Sequence, residues 1–186
     1  LAESKMILFP ISFKNNTTTF NYVPRFDMNL PTGQCRTTGM THLVSKEGWK
    51  VRACSSEETS SENGASSNAI DGRTDTKWHT RYSGGVSEAP HFLEIDMGNE
   101  QEIAGFLCTP RNDNSSNGLI RKYLFLVSSD GIEWKAVSGG TWLPYWTEVY
   151  FEPIVARYFR LVATEGTYAS LAELDVPVSY THLRAH

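Results

Sequence analysis

The stretch IRKYLFLVSSDGIEWKAV, residues 120–137, decides the fold. Tyr123–Val127 is a short apolar run bounded by Arg121-Lys122 and Ser128-Ser129, the texture of a strand. Asp130-Gly131 then interrupts the run, and Ile132–Val137 resumes in the same texture. Gly tolerates a left-handed backbone and Asp caps its own turn, so two strands around Asp-Gly read as a hairpin.

The same strand texture recurs on either side. Trp49–Cys54 (WKVRAC), Phe92–Met97 (FLEIDM), Ile103–Pro110 (IAGFLCTP), Trp146–Phe151 (WTEVYF) and Ala156–Ala163 (ARYFRLVA) all read as strands. No amphipathic helix of useful length appears. Short strands separated by turn signals predict an all-β, jelly-roll β-sandwich with Trp78 and Phe125 in or near its core.

Before Gly48 the texture differs. Lys5–Phe13 is a strand candidate interrupted by Pro10, hence edge-like. Thr19–Val23 reads as a return strand, and residues 24–45 have weak periodicity. Residues 1–47 are therefore expected to be the end of an upstream β-rich domain plus a linker, and 48–177 the main domain. The final VSYTHLRAH, 178–186, resembles one reading frame of a sequencing adapter, which excludes His182 and His186 from any site and implies truncation.

Composition excludes several functions. The chain has 186 residues, 40% hydrophobic, with a net charge of −4, enough for a real core and without the clustered Lys and Arg of a nucleic-acid surface. No run approaches the roughly 18 apolar residues of a membrane helix. Cys35, Cys54 and Cys108 form no CxxC pair and allow at most one disulfide; Cys108, within IAGFLC, reads as a core residue. Sequons at Asn15, Asn16 and Asn114 mark exposed loops. No GxSxG elbow, HExxH helix or phosphate-cradling loop occurs, and Glu57, Glu58 and Glu62 share one loop without an opposing acid. The visible chain reads as non-catalytic.

One aperiodic stretch carries the chemistry: NAIDGRTDTKWHT, Asn68–Thr80. Asp71-Gly72 is a turn signal. Oxygens at Asp71 and Thr76, with free carbonyls between them, suit a hard cation such as calcium, although most Asp-Gly turns bind nothing. Trp78 would bury beside the turn and His79 would sit at its rim.

Together SSEE, NAIDGRTDTKWHT, Pro110-Arg111, YLFLVSSDGIEW, RYFRLVA and YASLAELDV resemble the discoidin, or coagulation factor 5/8 type C, family, and within it the bacterial carbohydrate-binding module family 32. The resemblance covers about residues 48–177. Cys54 has no late cysteine partner, which favours the bacterial branch. The resemblance implies a galactose-binding-domain-like sandwich with a structural Ca2+ held by Asp71, Thr76 and Glu173, and by the carbonyls of Asn68, Arg73 and Ala172. It also implies a sugar site of His79, Tyr82 and Arg111, with Glu62, Asn117 and Tyr168 as further contacts. The ligand implied is a terminal galactose or N-acetylgalactosamine, and the setting a multidomain protein outside the cell, secreted, periplasmic or on its surface.

Plainer roles stay open at this point. His79 would equally satisfy a loop carbonyl, Arg111 pair with Asp113, and Tyr82 pack a loop. The alternative function is a structural or protein-interaction domain with a vestigial sugar site. Lipid binding is the weakest option, because the loops are mostly Ser, Asn, Gly and Thr.

Overall fold

A computed structural model describes residues 11–14, 17–20, 26–29, 34–37, 43–141 and 147–178. The chain divides into two compact units, 1–41 and 42–186. In the first, β1 (Ile11–Lys14) pairs antiparallel with β2 (Thr17–Phe20), and β3 (Phe26–Asn29) with β4 (Gln34–Thr37). Strand is thus found at the end of the Lys5–Phe13 candidate, whose residues 5–10 lie outside the described ones, as does the 21–23 part of the return strand.

The second unit contains β5 (Lys50–Cys54), β6 (Trp78–His79), β7 (His91–Thr109), β8 (Lys122–Ser128), β9 (Lys135–Thr141), β10 (Thr147–Ala163), β11 (Ser170–Leu171) and β12 (Glu173–Asp175). Its helical content among the described residues is one 3-10 turn, Ser66–Ile70. The main sheet runs β12-β7-β10-β8-β9, with β5 also paired to β7, and β6 pairs with β11 in a separate small ladder.

Two strands are far longer than their periodicity predicts. The expected strands Phe92–Met97 and Ile103–Pro110 both fall along the single strand β7, with Pro110 just past its end; residues 147–151 and Ala156–Ala163 fall along β10, and Trp146 lies outside the described residues. Between the first pair lies the polar GNEQ, of which Gln101 pairs with Ala156. Register shifts between Tyr150 and Ile154, and between Ala156 and Tyr158, absorb the irregularity. Bulges of this kind bend a strand and raise its twist. One half of β7 therefore faces β5 and its other half faces β12.

The hairpin around Asp130-Gly131 joins β8 to β9. Asp130 Oδ1 accepts from the amides of Ile132 and Glu133 at 2.8 and 2.9 Å, which closes the turn. Gly131 has φ +74°, a left-handed backbone that favours glycine, and a Cβ there would also displace the Arg52 guanidinium.

Phe125 is fully buried and stacks on Phe106 with ring centroids 4.3 Å apart and on Phe159 at 5.5 Å. Trp78, Leu93, Ile95, Leu161 and Leu174 complete the centre of the core. Cys108 is free and buried, and burial pushes its thiol up to about 12. Cys54 is also free.

The linker expected up to residue 47 ends earlier. Val44 N donates to Val176 O at 2.9 Å, Leu43 bridges Pro177, and Val44 is part of the core. Val178, expected to open a foreign tail, bridges Ile103; residues 179–186 lie outside the described ones.

Phe125→Ala removes an aromatic ring from the centre of this stack and leaves a cavity. The expected loss is about 3–5 kcal/mol of unfolding free energy in a denaturant titration. A loss below about 1 kcal/mol would place the core elsewhere.

Candidate functional site

Two loops and one buried carboxylate build the site. Glu58 has no exposed surface. Its Oε1 accepts from the amides of Ser60 and Ser61, both at 3.0 Å, and from Ser83 Oγ at 2.7 Å. Its Oε2 accepts from the amides of Tyr82 and Ser83 at 2.9 and 2.7 Å. These donors, the Ser83 hydroxyl foremost, hold the carboxyl well below the usual carboxylate range. Neither its loop nor its neighbours show periodicity, so nothing in the sequence separates Glu58 from Glu57 or Glu62. The structure gives each a different duty: Glu57 accepts from Ser66 N and Oγ at 2.8 and 2.7 Å, and Glu62 pairs with Lys77 at 2.8 Å.

His79 is not at a rim. It is 1% exposed, because β6 pairs with β11 and sets Ser170 opposite it. Tyr82 meets its ring edge-on at 5.2 Å, and Tyr168 lies 5.7 Å away. The two tyrosines are 6.4 Å from each other. His79 Nδ1 lies 2.6 Å from Thr80 O. A carbonyl only accepts, so the proton is on Nδ1 and Nε2 is left as an acceptor. Burial holds the imidazole below its usual value, against the pull of Thr80 O and Glu62, and it is neutral at pH 7.

Arg111 does pair with Asp113. Its Nε and Nη2 grip both carboxylate oxygens at 2.7 and 2.6 Å, and its Nη1 donates to Asn117 O at 2.7 Å. Among the described residues these contacts use three of its five N–H donors. Lys77 Nζ bridges Glu62 and Asp113, at 2.8 and 3.2 Å. The result is one chain of charge, Glu62–Lys77–Asp113–Arg111, that ends on the Asn117 loop. The Arg111 fork, with help from Lys77, holds Asp113 well below its usual range.

The residues expected to hold a cation lie around the Asp71 turn. Thr76 Oγ1 is 2.8 Å from Asp71 Oδ2 and 3.2 Å from Arg73 O. Glu173 reaches the same turn across a hundred residues of sequence, accepting from Gly72 N at 3.2 Å and Arg73 N at 3.0 Å. Asn68 staples the turn from behind, its amide donating to Asn63 O and Lys77 O at 2.8 and 2.9 Å. Ala172 N donates to Thr109 O at 2.8 Å, which fixes the residue before Glu173. Lys46 contacts Glu173 and also lies 2.7 Å from Asp175 Oδ1, a partner that sequence reading missed. Among the described residues no three His, Cys, Asp or Glu side chains gather as a metal cluster. The donors at the turn are instead carboxylate, hydroxyl and carbonyl oxygens without sulfur or imidazole, a set that fits a hard cation held largely by backbone.

The sequence model of the F5/8 type C domain matches residues 50–174. The chain belongs to this family. A galactose oxidase of Gibberella zeae is 39% identical over 141 residues, which is 72% of this chain and 20% of that protein. A sialidase of Micromonospora viridifaciens is 34% identical over 142 residues, 72% of this chain and 22% of its own length. The chain thus spans about a fifth of these curated relatives. Among solved structures, CpGH89CBM32-5 of Clostridium perfringens, in complex with GalNAc-β-1,3-galactose, superposes with a TM-score of 0.68 at 34% identity, covering 73% of this chain and 99% of that one. The family 32 module of NanJ from the same organism, in complex with galactose, gives 0.65 at 30% identity, covering 73% and 97%. Both neighbours are carbohydrate-binding modules of family 32.

Replacing Glu58 by Ala leaves the Ser60, Ser61, Tyr82 and Ser83 amides without their shared acceptor. Hydrogen exchange should lose protection at those amides while β7 and β10 keep theirs, and Glu58→Gln should recover part of it. In the wild type this protection is full above the ordinary Glu value and should persist as pH falls to about 4, disappearing only as the depressed carboxyl itself takes a proton. Unchanged exchange in Glu58→Ala would contradict the role given to it.

Proposed function

We propose that this F5/8 type C domain is a carbohydrate-binding module that takes one terminal galactose-type sugar and tethers a larger protein to glycans outside the cell. The observation that carries the proposal is the convergence of Tyr82, Tyr168 and His79 with the Arg111 network at one set of loops. Two similar modules in complex with galactose or a GalNAc-galactose disaccharide support it. The binding partner is then a terminal galactose or N-acetylgalactosamine, with no role for nucleic acid or membrane insertion. No helix among the described residues is long and apolar enough to cross a membrane.

The chemistry follows from the residues. Tyr82, 36% exposed, offers an aromatic face to the C–H patch beneath a galactose ring. Arg111 N–H groups outside those three contacts donate to neighbouring hydroxyls, and Glu62 and Asn117 supply further polar contacts. A sugar edge entering between Tyr82 and Tyr168 meets the acceptor nitrogen of His79. So few contacts to one ring give weak binding, with Kd on the order of 0.1–1 mM, or roughly −4 to −5.5 kcal/mol. Retention on a surface then depends on several modules or many ligands.

A structural Ca2+ belongs to the same proposal. Asp71, Thr76 and Glu173 would hold it with the carbonyls of Asn68, Arg73 and Ala172. Such an ion supplies positive charge to two carboxylates and ties the loop under Trp78 to the last strand.

Titration calorimetry against methyl β-galactoside tests the sugar reading. Wild type should bind in the stated range; Tyr82→Ala should weaken binding about tenfold or more with little change in melting temperature. Affinity should hold from pH 8 to 7 and decline only at a pH below the ordinary imidazole range, because burial holds His79 neutral until it gains a proton and loses its acceptor. The sign is the same for stability, since folding favours the neutral imidazole. Absence of binding by wild type would support the alternative, a structural domain whose site is vestigial.

The cation is tested separately. Calcium at a hundredfold excess over its Kd should add about 2.7 kcal/mol to stability, and chelator should remove it. Asp71→Ala should abolish the difference. Equal melting temperatures with calcium and with chelator would overturn the metal site.

A further inference from the structure

Beside the Tyr82–Tyr168–His79 cluster lies a cavity of about 360 Å³ that shares Asn117 and Tyr168 with the sugar site but whose Arg121 and Glu165 have no role above. Asn117 and Tyr168 line it together with Ser116, Gly118, Arg121 and Glu165. Its two walls, the 116–119 loop and the 165–168 loop, are stitched at their base. Ser170 N donates to Gly118 O at 2.7 Å, and Leu119 and Ser170 form a parallel bridge. Gly118 has φ +78°, and a Cβ there would lie 2.9 Å from Ser170 Cβ, so the walls meet as closely as backbone allows. The cavity is therefore a formed recess, at the small end of the roughly 300–1,000 Å³ of small-molecule sites.

Its charges are unequal in their commitments. Glu165 is neutralised by Lys122. Arg121 is exposed and, among the described residues, forms no ion pair. It leaves a planar fork of N–H donors at the rim of a polar recess, the chemistry that recognises vicinal hydroxyls. Asn117 and Tyr168 border this recess and also belong to the sugar site, so a ligand leaving one would enter the other.

We propose that this recess is a second sugar subsite, which takes the ring attached to the terminal galactose-type residue and engages it through Arg121. The proposal rests on the sugar reading of the neighbouring site. The ligand of this module is then at least a disaccharide.

The test compares methyl β-galactoside with two disaccharides, galactosyl-β-1,3-N-acetylglucosamine and galactosyl-β-1,4-glucose, on the full chain. Wild type should bind at least one disaccharide about three- to tenfold more tightly than the monosaccharide, the worth of roughly one net hydrogen bond. Arg121→Ala should erase that advantage while leaving methyl β-galactoside affinity and the melting temperature unchanged, and Arg121→Lys should restore only part of it. If both disaccharides bind no better than the monosaccharide, or if Arg121→Ala keeps the advantage, the subsite is overturned while the main site stands. If Arg121→Ala weakens all three ligands equally, Arg121 belongs to the main site and the subsite is again overturned. Failure of wild type to bind any of them overturns the sugar reading and the subsite together.

Discussion

The structure depends on the way residues 169–176 close back on the first loops of the domain. Ser170 and Leu171 pair with His79 and Trp78, and Ala169 lies against Thr80, whose amide donates to Ala169 O at 2.9 Å. Glu173 then binds the Asp71 turn, Leu174 pairs with Cys108, and Val176 accepts from Val44. Almost every residue of this segment is buried. Ordering contacts so distant in sequence carries a large loop-closure cost, which the apolar residues Leu171, Leu174 and Val176 offset by burial. The functional loops inherit their positions from this closure.

That arrangement separates support from recognition. Glu58, Asn68 and Glu173 spend their polar capacity on backbone amides and carbonyls, and Asp113 on Arg111. Buried charges arranged in this way are costly to leave half-satisfied, so each loop has one favoured conformation. Among the described residues the groups left over are few: the faces of Tyr82 and Tyr168, the Arg111 N–H groups outside its three contacts, and the second nitrogen of His79. A site that orients one ring with few contacts binds weakly but needs little rearrangement, because its geometry is fixed beforehand.

Much of this was legible from residue pattern. The strand-like run Tyr123–Val127 located β8, Asp130-Gly131 located its hairpin, and Trp78 and Phe125 fell in the core as expected. Less legible were features that depend on distant partners. Of the polar GNEQ inside β7, Gln101 pairs with Ala156 on β10 next to a register shift, and no local pattern reveals that. Lys46 looked like linker, yet it faces Glu173 from more than a hundred residues away. The serine- and glutamate-rich loop has no period, so its three carboxylates could not be sorted until their amide donors were placed. His79 was expected at the rim of the Asp71 turn, whereas strand pairing draws it under two tyrosines.

The central claim is that rigid, buried polar contacts present Tyr82, Arg111 and Tyr168 to one sugar. Amide chemical-shift mapping of the isotope-labelled chain during a galactose titration tests it most directly. The account predicts saturable shifts confined to the loops around Tyr82, Arg111–Gly118 and Thr167–Tyr168, with β7 and β10 amides unmoved. Shifts centred on any other surface, or none up to about 10 mM galactose, tenfold or more above the expected Kd, would contradict it.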